Sequence, residues 1–574
     1  AVVEERLKTG KLSGIVATSS LELGIDIGDL DEVVMVGVPS SVASALQRMG
    51  RSGHGVGEVS RASLYARDER ELLIAAALLP LALRGELEEV RPVENPLDVL
   101  AQILLALLLW QKWDTEELYR HVRRIYNYQN LPREWFYGVM RMLSGKYEST
   151  RIFELQKRIS YDEELHEARA FPAVRQLIYL SGGTIPDRGY FTMRDSASGA
   201  PIGELDEEFV WERRMGEIFS LGGRTWKILE ITHSEMRVRA EKSDGVMAPF
   251  WRADENDRGA FLSDHIIEFL DQTSVHLKDR NFADSIARER FMEPASAGIL
   301  IDYLKEAREA LGQLPGKNRF TLEICPDRMG LRRFLLYNFL GGKRNRPLFY
   351  LFSRACEELC GYLPEGASGD DGIMLLLPDE VDINALIERA LSLPLEGTLR
   401  RCLEGSGFFG SRFRESAGRS LLLPRANFKG RVPLWLTRLR AKKIMEALPS
   451  DSDFPVLLET WRTVLHDEFE LPGVLNVLER LRSGEITIHV ASTSRPSVFS
   501  SNLLWKSTNR LMYDDDARSR PAEGLLSGNF VRTLLSASDL RIKISDGTIS
   551  DFLDRRQRRL YPLRGLELAE HIKD

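Results

Sequence analysis

Two short runs hold the side chains best suited to chemistry on phosphates. One is Ala17-Thr18-Ser19-Ser20-Leu21-Glu22-Leu23-Gly24-Ile25-Asp26, behind the apolar stretch Gly14 to Ala17. The other is Gln47-Arg48-Met49-Gly50-Arg51-Ser52-Gly53-His54, behind the apolar stretch Glu32 to Val38 and a short helical segment. Arginine stays protonated and presents a rigid fork of donors that matches phosphate oxygens. Thr18 and Ser19, at a strand end, can donate to a nucleic-acid phosphate. Asp26 can accept from a ribose hydroxyl, and Gly24 lets the backbone pass close to a ligand. Each run follows its own predicted strand and one βα unit separates them, a context that lifts short patterns above a solvated arginine loop.

With its T-x-x-x-x-x-G-x-D spacing, the first run resembles motif V of superfamily-two helicases, and the second resembles motif VI. Both motifs lie in the second of two RecA-like domains. The resemblance implies that Arg51 faces the γ-phosphate, where a guanidinium from a neighbouring domain stabilises developing charge. Arg48 and Gln47 would link the nucleotide site to the strand site. Many such enzymes end motif VI with another Arg where this chain has His54, so one permanent cation is missing and His54 takes a weaker part.

That histidine narrows the resemblance. Q-R-x-G-R-S-G-H preceded by S-S-L-E-L-G-I-D-I-G is similar to the large helicase-related (Lhr) family, and further blocks follow in order. They are Asn95-Pro96-Leu97-Asp98-Val99-Leu100-Ala101-Gln102, Gly183-Thr184-Ile185-Pro186-Asp187-Arg188-Gly189, Gly203 to Val210, Pro249-Phe250-Trp251, Leu421-Leu422-Leu423-Pro424-Arg425 and Pro433-Leu434-Trp435. The family implies an ATP-dependent translocase with 3′→5′ polarity that unwinds DNA or RNA–DNA duplexes, in DNA repair. Its cofactor would be ATP with Mg²⁺, and its partners single-stranded DNA and duplex. The chain starts at Ala1, without an initiator Met and inside a helix. It is therefore expected to be the C-terminal portion of a longer enzyme, inactive alone, with the phosphate-binding loop and Mg²⁺ ligands on a missing first domain.

The implied fold is multidomain α/β plus α+β. A partial second RecA-like domain spans residues 1–90, a winged helix 91–165, a small β-barrel 166–272 and a large mixed α+β domain 273–574. The local patterns agree with that order. Parallel α/β alternation fills the first part, with strands at Gly14 to Ala17, Glu32 to Val38 and Ala62 to Tyr65. The apolar helix Glu69 to Leu83 should pack beneath that sheet. Helices at Leu97 to Gln111, Thr115 to Tyr126 and Pro132 to Leu143 precede a wing. The third helix carries Arg133 and Arg141 and can either face duplex DNA or brace the motor. From Phe171 to about Leu270 the period changes to two, as in a small antiparallel barrel. Its loops present Ile185 and Trp251, each readable as a wedge against bases or as a plug in the barrel rim; the family resemblance favours nucleic-acid contact.

In the last part Ile299 to Leu311 and Pro433 to Leu448 read as helices, and Arg319 to Cys325 and Ile373 to Leu377 as strands. Basic clusters at Lys343 to Arg346, Arg412 to Arg419, Arg438 to Lys443 and Arg555 to Arg564 could bind phosphates or simply face solvent.

At 574 residues the chain has room for about three to five domains with cores of their own. A net charge of −7 excludes a broadly basic protein, so nucleic-acid contact must come from local surface. Cys325, Cys356, Cys360 and Cys402 form no C-x-x-C pair and read as buried, reduced thiols of a cytoplasmic protein, with no metal site. The most apolar stretch, Ile103 to Trp110, is too short to span a bilayer.

Three patterns imitate nucleotide motifs. Leu375-Leu376-Leu377-Pro378-Asp379-Glu380 has a proline where its strand should continue, Gly405-Ser406-Gly407-Phe408-Phe409-Gly410 has no strand leading into it, and Gly316-Lys317-Asn318 lacks Walker spacing. A different class of function, a non-catalytic nucleic-acid-binding scaffold with a RecA-like remnant, is opposed by the intact Gly24, Asp26, Gln47, Arg48 and Arg51.

Overall fold

The computed structural model describes residues 6–7, 12–17, 22, 30–53, 59–146, 156–185, 190–206, 210, 213, 215–221, 224–232, 235–241, 257–327, 330–427, 430–432, 434–448 and 453–514. The chain divides into a unit Ala1–Ser507 and a shorter unit Thr508–Asp574, and the described residues lie almost wholly in the first.

At the N-terminal end β1 (Val33–Val36) and β2 (Ala62–Tyr65) pair in parallel around α1 (Val42–Met49), a βαβ unit. Ser41 caps α1 by accepting the Ser44 N–H at 3.1 Å. The Val42 and Ala43 N–H groups donate to the Glu88 carboxylate at 2.6 and 3.0 Å, placing negative charge at a helix N-terminus. The expected strand at Gly14 to Ala17 is absent. These residues take no regular structure and Val16 is fully exposed, so they lack the neighbouring ladder that a parallel strand requires.

Helix α2 (Glu69–Arg84) starts at an Asp68 cap and stops at Gly85, whose φ of +69° is the left-handed ending glycine permits. It is apolar around most of its circumference and must be enclosed. Rather than lying only beneath the small sheet, it packs on α1 and also on two helices of the large region, Ala260–His276 and Pro294–Leu311.

Next come α3 (Leu97–Trp110), β3 (Trp113–Asp114), α4 (Thr115–Val122), α5 (Arg133–Ser144), β4 (Ile159–Asp162) and β5 (Glu167–Ala170). The strands form an antiparallel sheet in the order β3-β5-β4. Three helices and this sheet make a winged helix. The 165/166 division expected from sequence falls inside the β4–β5 hairpin, because Ala168 and Ala170 belong to the same core. The third helix buries Phe136, Val139 and Met140. Arg133 is taken by Glu116 at 2.6 Å and lies over the Tyr119 ring. Helix α5 packs on the helix Pro455–Arg462 of the large region.

Beyond Phe171 the first element is a helix, α6 (Val174–Ser181), not a strand. Val174, Leu177, Ile178 and Ser181 recur at helical spacing and pack on α3. Five strands follow: β6 (Tyr190–Asp195), β7 (Pro201–Asp206), β8 (Ile218–Leu221), β9 (Arg224–Ile231) and β10 (Glu235–Ala240). Their order is β7-β6-β10-β9-β8, and they enclose a separate core of Phe191, Met193, Leu205, Phe219, Trp226, Ile228, Met236 and Val238. The sheet is not purely antiparallel, because β10 inserts between β6 and β9 and runs parallel to β6. Among the described residues β7 and β8 are the outermost strands, and no pairing joins them to close the small antiparallel barrel expected from sequence.

The large region begins earlier than expected. The 272/273 division lies within α7 (Ala260–His276), whose Leu262, Ile266, Ile267 and Leu270 join the main core. After α8 (Phe282–Glu289) and α9 (Pro294–Leu311) come β11 (Arg319–Pro326), β12 (Arg332–Tyr337), α10 (Gly342–Cys360), β13 (Gly366–Ser368) and β14 (Gly372–Leu377). Helices α11 (Ile383–Ser392), α12 (Leu395–Leu403) and α13 (Gly407–Arg419) lead to the short pair β15 (Ala426–Asn427) and β16 (Gly430–Arg431). Then follow α14 (Leu434–Ala447), α15 (Pro455–Arg462), a π-helical turn Thr463–Glu468, α16 (Leu471–Arg482), β17 (Thr487–Ser492) and α17 (Ser501–Asp514). The sheet order is β13-β14-β12-β11-β17, with β14 buried along its whole length. One continuous apolar core runs from Val42 to Leu503 through the winged helix and the large region.

All four cysteines are free thiols. Cys325 and Cys356 are buried and Cys402 half-buried, but Cys360 is exposed, contrary to expectation, because it ends α10 at the Gly361 turn. Among the described residues no helix is long and apolar enough to cross a membrane, and no group of His, Cys, Asp or Glu could hold a metal ion.

Candidate nucleotide and nucleic-acid site

The turn after α1 is built to hold its arginines in place. Arg48 Nε lies 2.9 Å from Glu22 Oε2, and Arg51 Nη2 donates to the Glu22 carbonyl at 2.7 Å. The two cations of the second run thus meet one residue of the first. Behind them Ser52 is buried. Its hydroxyl accepts the Arg61 N–H at 2.9 Å and donates to the Arg61 carbonyl at 2.8 Å, tying the turn to the start of β2. Gly53 has φ +66° and its amide reaches the Leu30 carbonyl at 3.2 Å. A Cβ there would come within 2.8 Å of the Val59 backbone, so the close approach admits only glycine. Gln47 is exposed on the last turn of α1. Thr18, Ser19, Gly24, Asp26, His54 and Trp251 lie outside the described residues.

Ile185 sits apart from this turn, 81 % exposed, on the loop that follows α6. The loop backbone is held from two sides. The Gln102 side chain, from α3, exchanges two hydrogen bonds with Gly183: Nε2 donates to its carbonyl and Oε1 accepts its N–H, each at 3.0 Å. Arg425 Nη1 donates to the Ile185 carbonyl at 2.7 Å.

Two of the described basic clusters, Lys343 to Arg346 and Arg412 to Arg419, hold cations paired with other parts of the chain. Lys343 donates to the Asp467 carbonyl at 2.9 Å, Arg344 reaches Asp264 and Glu470, and Arg346 meets Asp257 while lying over the Phe408 and Phe469 rings. Arg412 takes Glu415 and Glu468, and Arg419 takes Asp98. These cations join elements to one another, which accounts for their clustering without a phosphate. Cluster Arg555 to Arg564 lies outside the described residues. The motif look-alikes are structural too: Asp379 pairs with Arg332 at 3.2 Å, and Ser406 caps α13 by accepting the Phe409 N–H at 3.2 Å.

Two buried networks were not anticipated from sequence. Arg70 of α2 forms an ion pair with Asp371, whose other oxygen lies 3.1 Å from Arg258. Arg258 is 1 % exposed and also donates to the Phe339 and Asp370 carbonyls. Burial pushes the Asp371 carboxyl up, but the two facing guanidinium groups outweigh it and hold it below its usual range. In the second network Glu459 of α15 accepts the Leu97 N–H at 2.9 Å and so caps α3 from another part of the chain. Burial, with Asp98 close by, pushes Glu459 up to about 7 against the opposing pull of Arg462.

Three family models match stretches of the chain. Residues 1–55 fit a helicase conserved C-terminal domain, 82–247 the winged helix domain of large helicase-related protein, and 314–500 a DEAD/H associated domain. The chain is 35 % identical over 582 aligned positions to the Lhr helicase/probable uracil glycosylase of Mycolicibacterium smegmatis, covering all of this chain and 38 % of that protein. It is likewise 35 % identical over 586 positions to the Lhr helicase/uracil glycosylase of Escherichia coli, again covering 38 % of the relative. A solved structure of the Mycobacterium smegmatis helicase Lhr bound to ssDNA and AMP-PNP superposes with a TM-score of 0.69 at 34 % identity, over 88 % of this chain and 60 % of that one. The chain therefore spans under two thirds of the length of these relatives. It belongs to the large helicase-related (Lhr) family of superfamily-two helicases.

Proposed function

We propose that this chain is part of an ATP-dependent nucleic-acid translocase that moves 3′→5′ on single-stranded DNA and unwinds DNA or RNA–DNA duplexes, in DNA repair. The observation that carries the reading is the meeting of Arg48 and Arg51 on Glu22 at the end of a βαβ unit. Support also comes from the named activity of the relatives, one of them solved with single-stranded DNA and an ATP analogue.

In this reading the chain divides into a RecA-like part, a winged helix, a five-stranded sheet and a large α+β part. ATP with Mg²⁺ supplies the transferable phosphoryl group, its metal ligands standing on a partner RecA-like domain of the longer protein. Residues of this chain fit such a ligand, because two guanidinium groups share one rigid turn and a buried serine fixes that turn to the sheet. Arg51 presents its fork towards the γ-phosphate. Arg48, held by the Glu22 carboxylate, and Gln47 relay the state of that site to the strand. Gly24 and Asp26 flank the ribose, and His54 contributes weakly. Thr18 and Ser19 donate to strand phosphates, while Ile185 and Trp251 meet bases.

Unwinding of a duplex with a 3′ single-stranded tail, against one with a 5′ tail, tests the reading in the full-length protein. Unwinding confined to the 3′-tailed duplex and dependent on ATP is expected. Equal unwinding of both, or none with ATP, overturns it.

A further inference from the structure

The loop bearing Ile185 is held more firmly than a surface loop needs to be. Gln102 pairs with both backbone groups of Gly183, as a neighbouring strand would, and its Nε2 also reaches the Arg419 carbonyl at 2.5 Å. Arg419 is in turn fixed by the buried Asp98, one turn before Gln102 on α3. On the other side Arg425 donates to the Ile185 carbonyl, and the Ser181 hydroxyl accepts the Arg425 N–H at 3.1 Å. Gly183 has φ +124°, a conformation side chains rarely adopt. All this order is applied to the backbone, and the apolar side chain it carries is left 81 % exposed. An isolated exposed isoleucine is unremarkable by itself. One whose backbone is gripped from the winged helix and from the large region is aimed.

We propose that Gln102 and Arg425 are positioning residues that aim Ile185 at the nucleic-acid strand, so that the wedge is set jointly by two parts of the chain distant in sequence. This rests on the reading of Ile185 as a base contact. The clamp holds the loop rigid, so strand movement against Ile185 separates bases instead of deflecting the loop. Losing the clamp leaves ATP hydrolysis intact and lowers the duplex opened per ATP.

The test uses the full-length enzyme and the variants Ile185→Ala, Gln102→Ala, Arg425→Met and the double Ile185→Ala/Gln102→Ala. Duplex unwound per ATP hydrolysed is measured, with thermal melting beside it. Gln102→Ala and Arg425→Met should each lower the ratio by about three- to tenfold, the range conveyed by loss of one hydrogen-bonded pair. Gln102→Ala should add nothing once Ile185 is alanine. If Ile185→Ala is impaired but the clamp variants keep the full ratio, or if the two defects multiply in the double variant, the positioning role is overturned and the base contact stands. If the clamp variants melt earlier and lose both activities in proportion, the role is structural only and the proposal falls. An unchanged ratio in Ile185→Ala itself sinks the base contact and the clamp with it.

Discussion

Arg48 donates through Nε to the Glu22 carboxylate at 2.9 Å, while Arg51 donates through Nη2 to the same residue's carbonyl at 2.7 Å. Replacing Arg51 by Ala in the full-length enzyme should lower kcat for nucleic-acid-stimulated ATP hydrolysis by roughly 10³-fold or more. Nucleotide binding, measured separately, should change less. Arg51→Lys should not restore the rate, because a point charge lacks the planar fork. An Arg51→Ala enzyme with near-normal turnover would remove Arg51 from the site.

Asp371 stands between two buried cations, so removing its charge strands both of them. Asp371→Asn should destabilise the fold by about 3–5 kcal/mol, the range for a broken buried pair. Its folded pKa lies under the ordinary 3.8, so the stabilisation is present above that value and is lost as pH falls through the lower folded one. Denaturant titrations at neutral pH and near pH 3 check both parts: the gap between wild type and Asp371→Asn should narrow in acid.

Glu459 behaves in the opposite sense. With a folded pKa raised to about 7 it binds its proton more tightly when folded, so its contribution falls as pH rises from the ordinary carboxylate range through 7. Melting temperature should therefore decline between about pH 5 and pH 8, and Glu459→Gln should flatten that decline. A slope left unchanged in the variant would assign the titration to another group.

Trp251 lies outside the described residues, and its expected role is separable by measurement. Loss of one base–aromatic stack should weaken single-strand binding by roughly 1–3 kcal/mol. Trp251→Ala should then lose unwinding more than ATP hydrolysis, at an unchanged melting temperature. Earlier melting with proportional loss of both activities would make it a plug in the sheet instead.

Local pattern carried much of the architecture. The long apolar run of Glu69–Arg84, the 3.6-residue period of Pro294–Leu311, and the apolar runs of Arg319–Pro326 and Gly372–Leu377 are visible without any tertiary knowledge. Val174–Ser181 was misread because a short apolar run beside true strands is ambiguous until a neighbouring helix covers one face. Parallel pairing of β6 with β10 has no local signature at all. The same holds for partners: Arg48 and Arg51 stand out by type and spacing, but Glu22 gains its part only when the turn folds back on it. Arg70 meets Asp371 across 301 residues, and no periodicity links such positions. The partners of the basic clusters are hidden for a related reason. A run of arginines marks charge, and only the fold reveals that Asp257, Asp264, Glu468 and Glu470 stand opposite.

The parallel pairing of β6 and β10 also has a mechanical meaning. The two strands run the same way with Thr192 opposite Glu235, so the chain enters this sheet at one end and leaves it at the other. Tension drawn along the backbone from Tyr190 to Ala240 would load the rungs between these strands in shear, all together, where an antiparallel entry and exit would unzip them one at a time. Five strands with a private core therefore resist extension between Tyr190 and Ala240 together and not strand by strand.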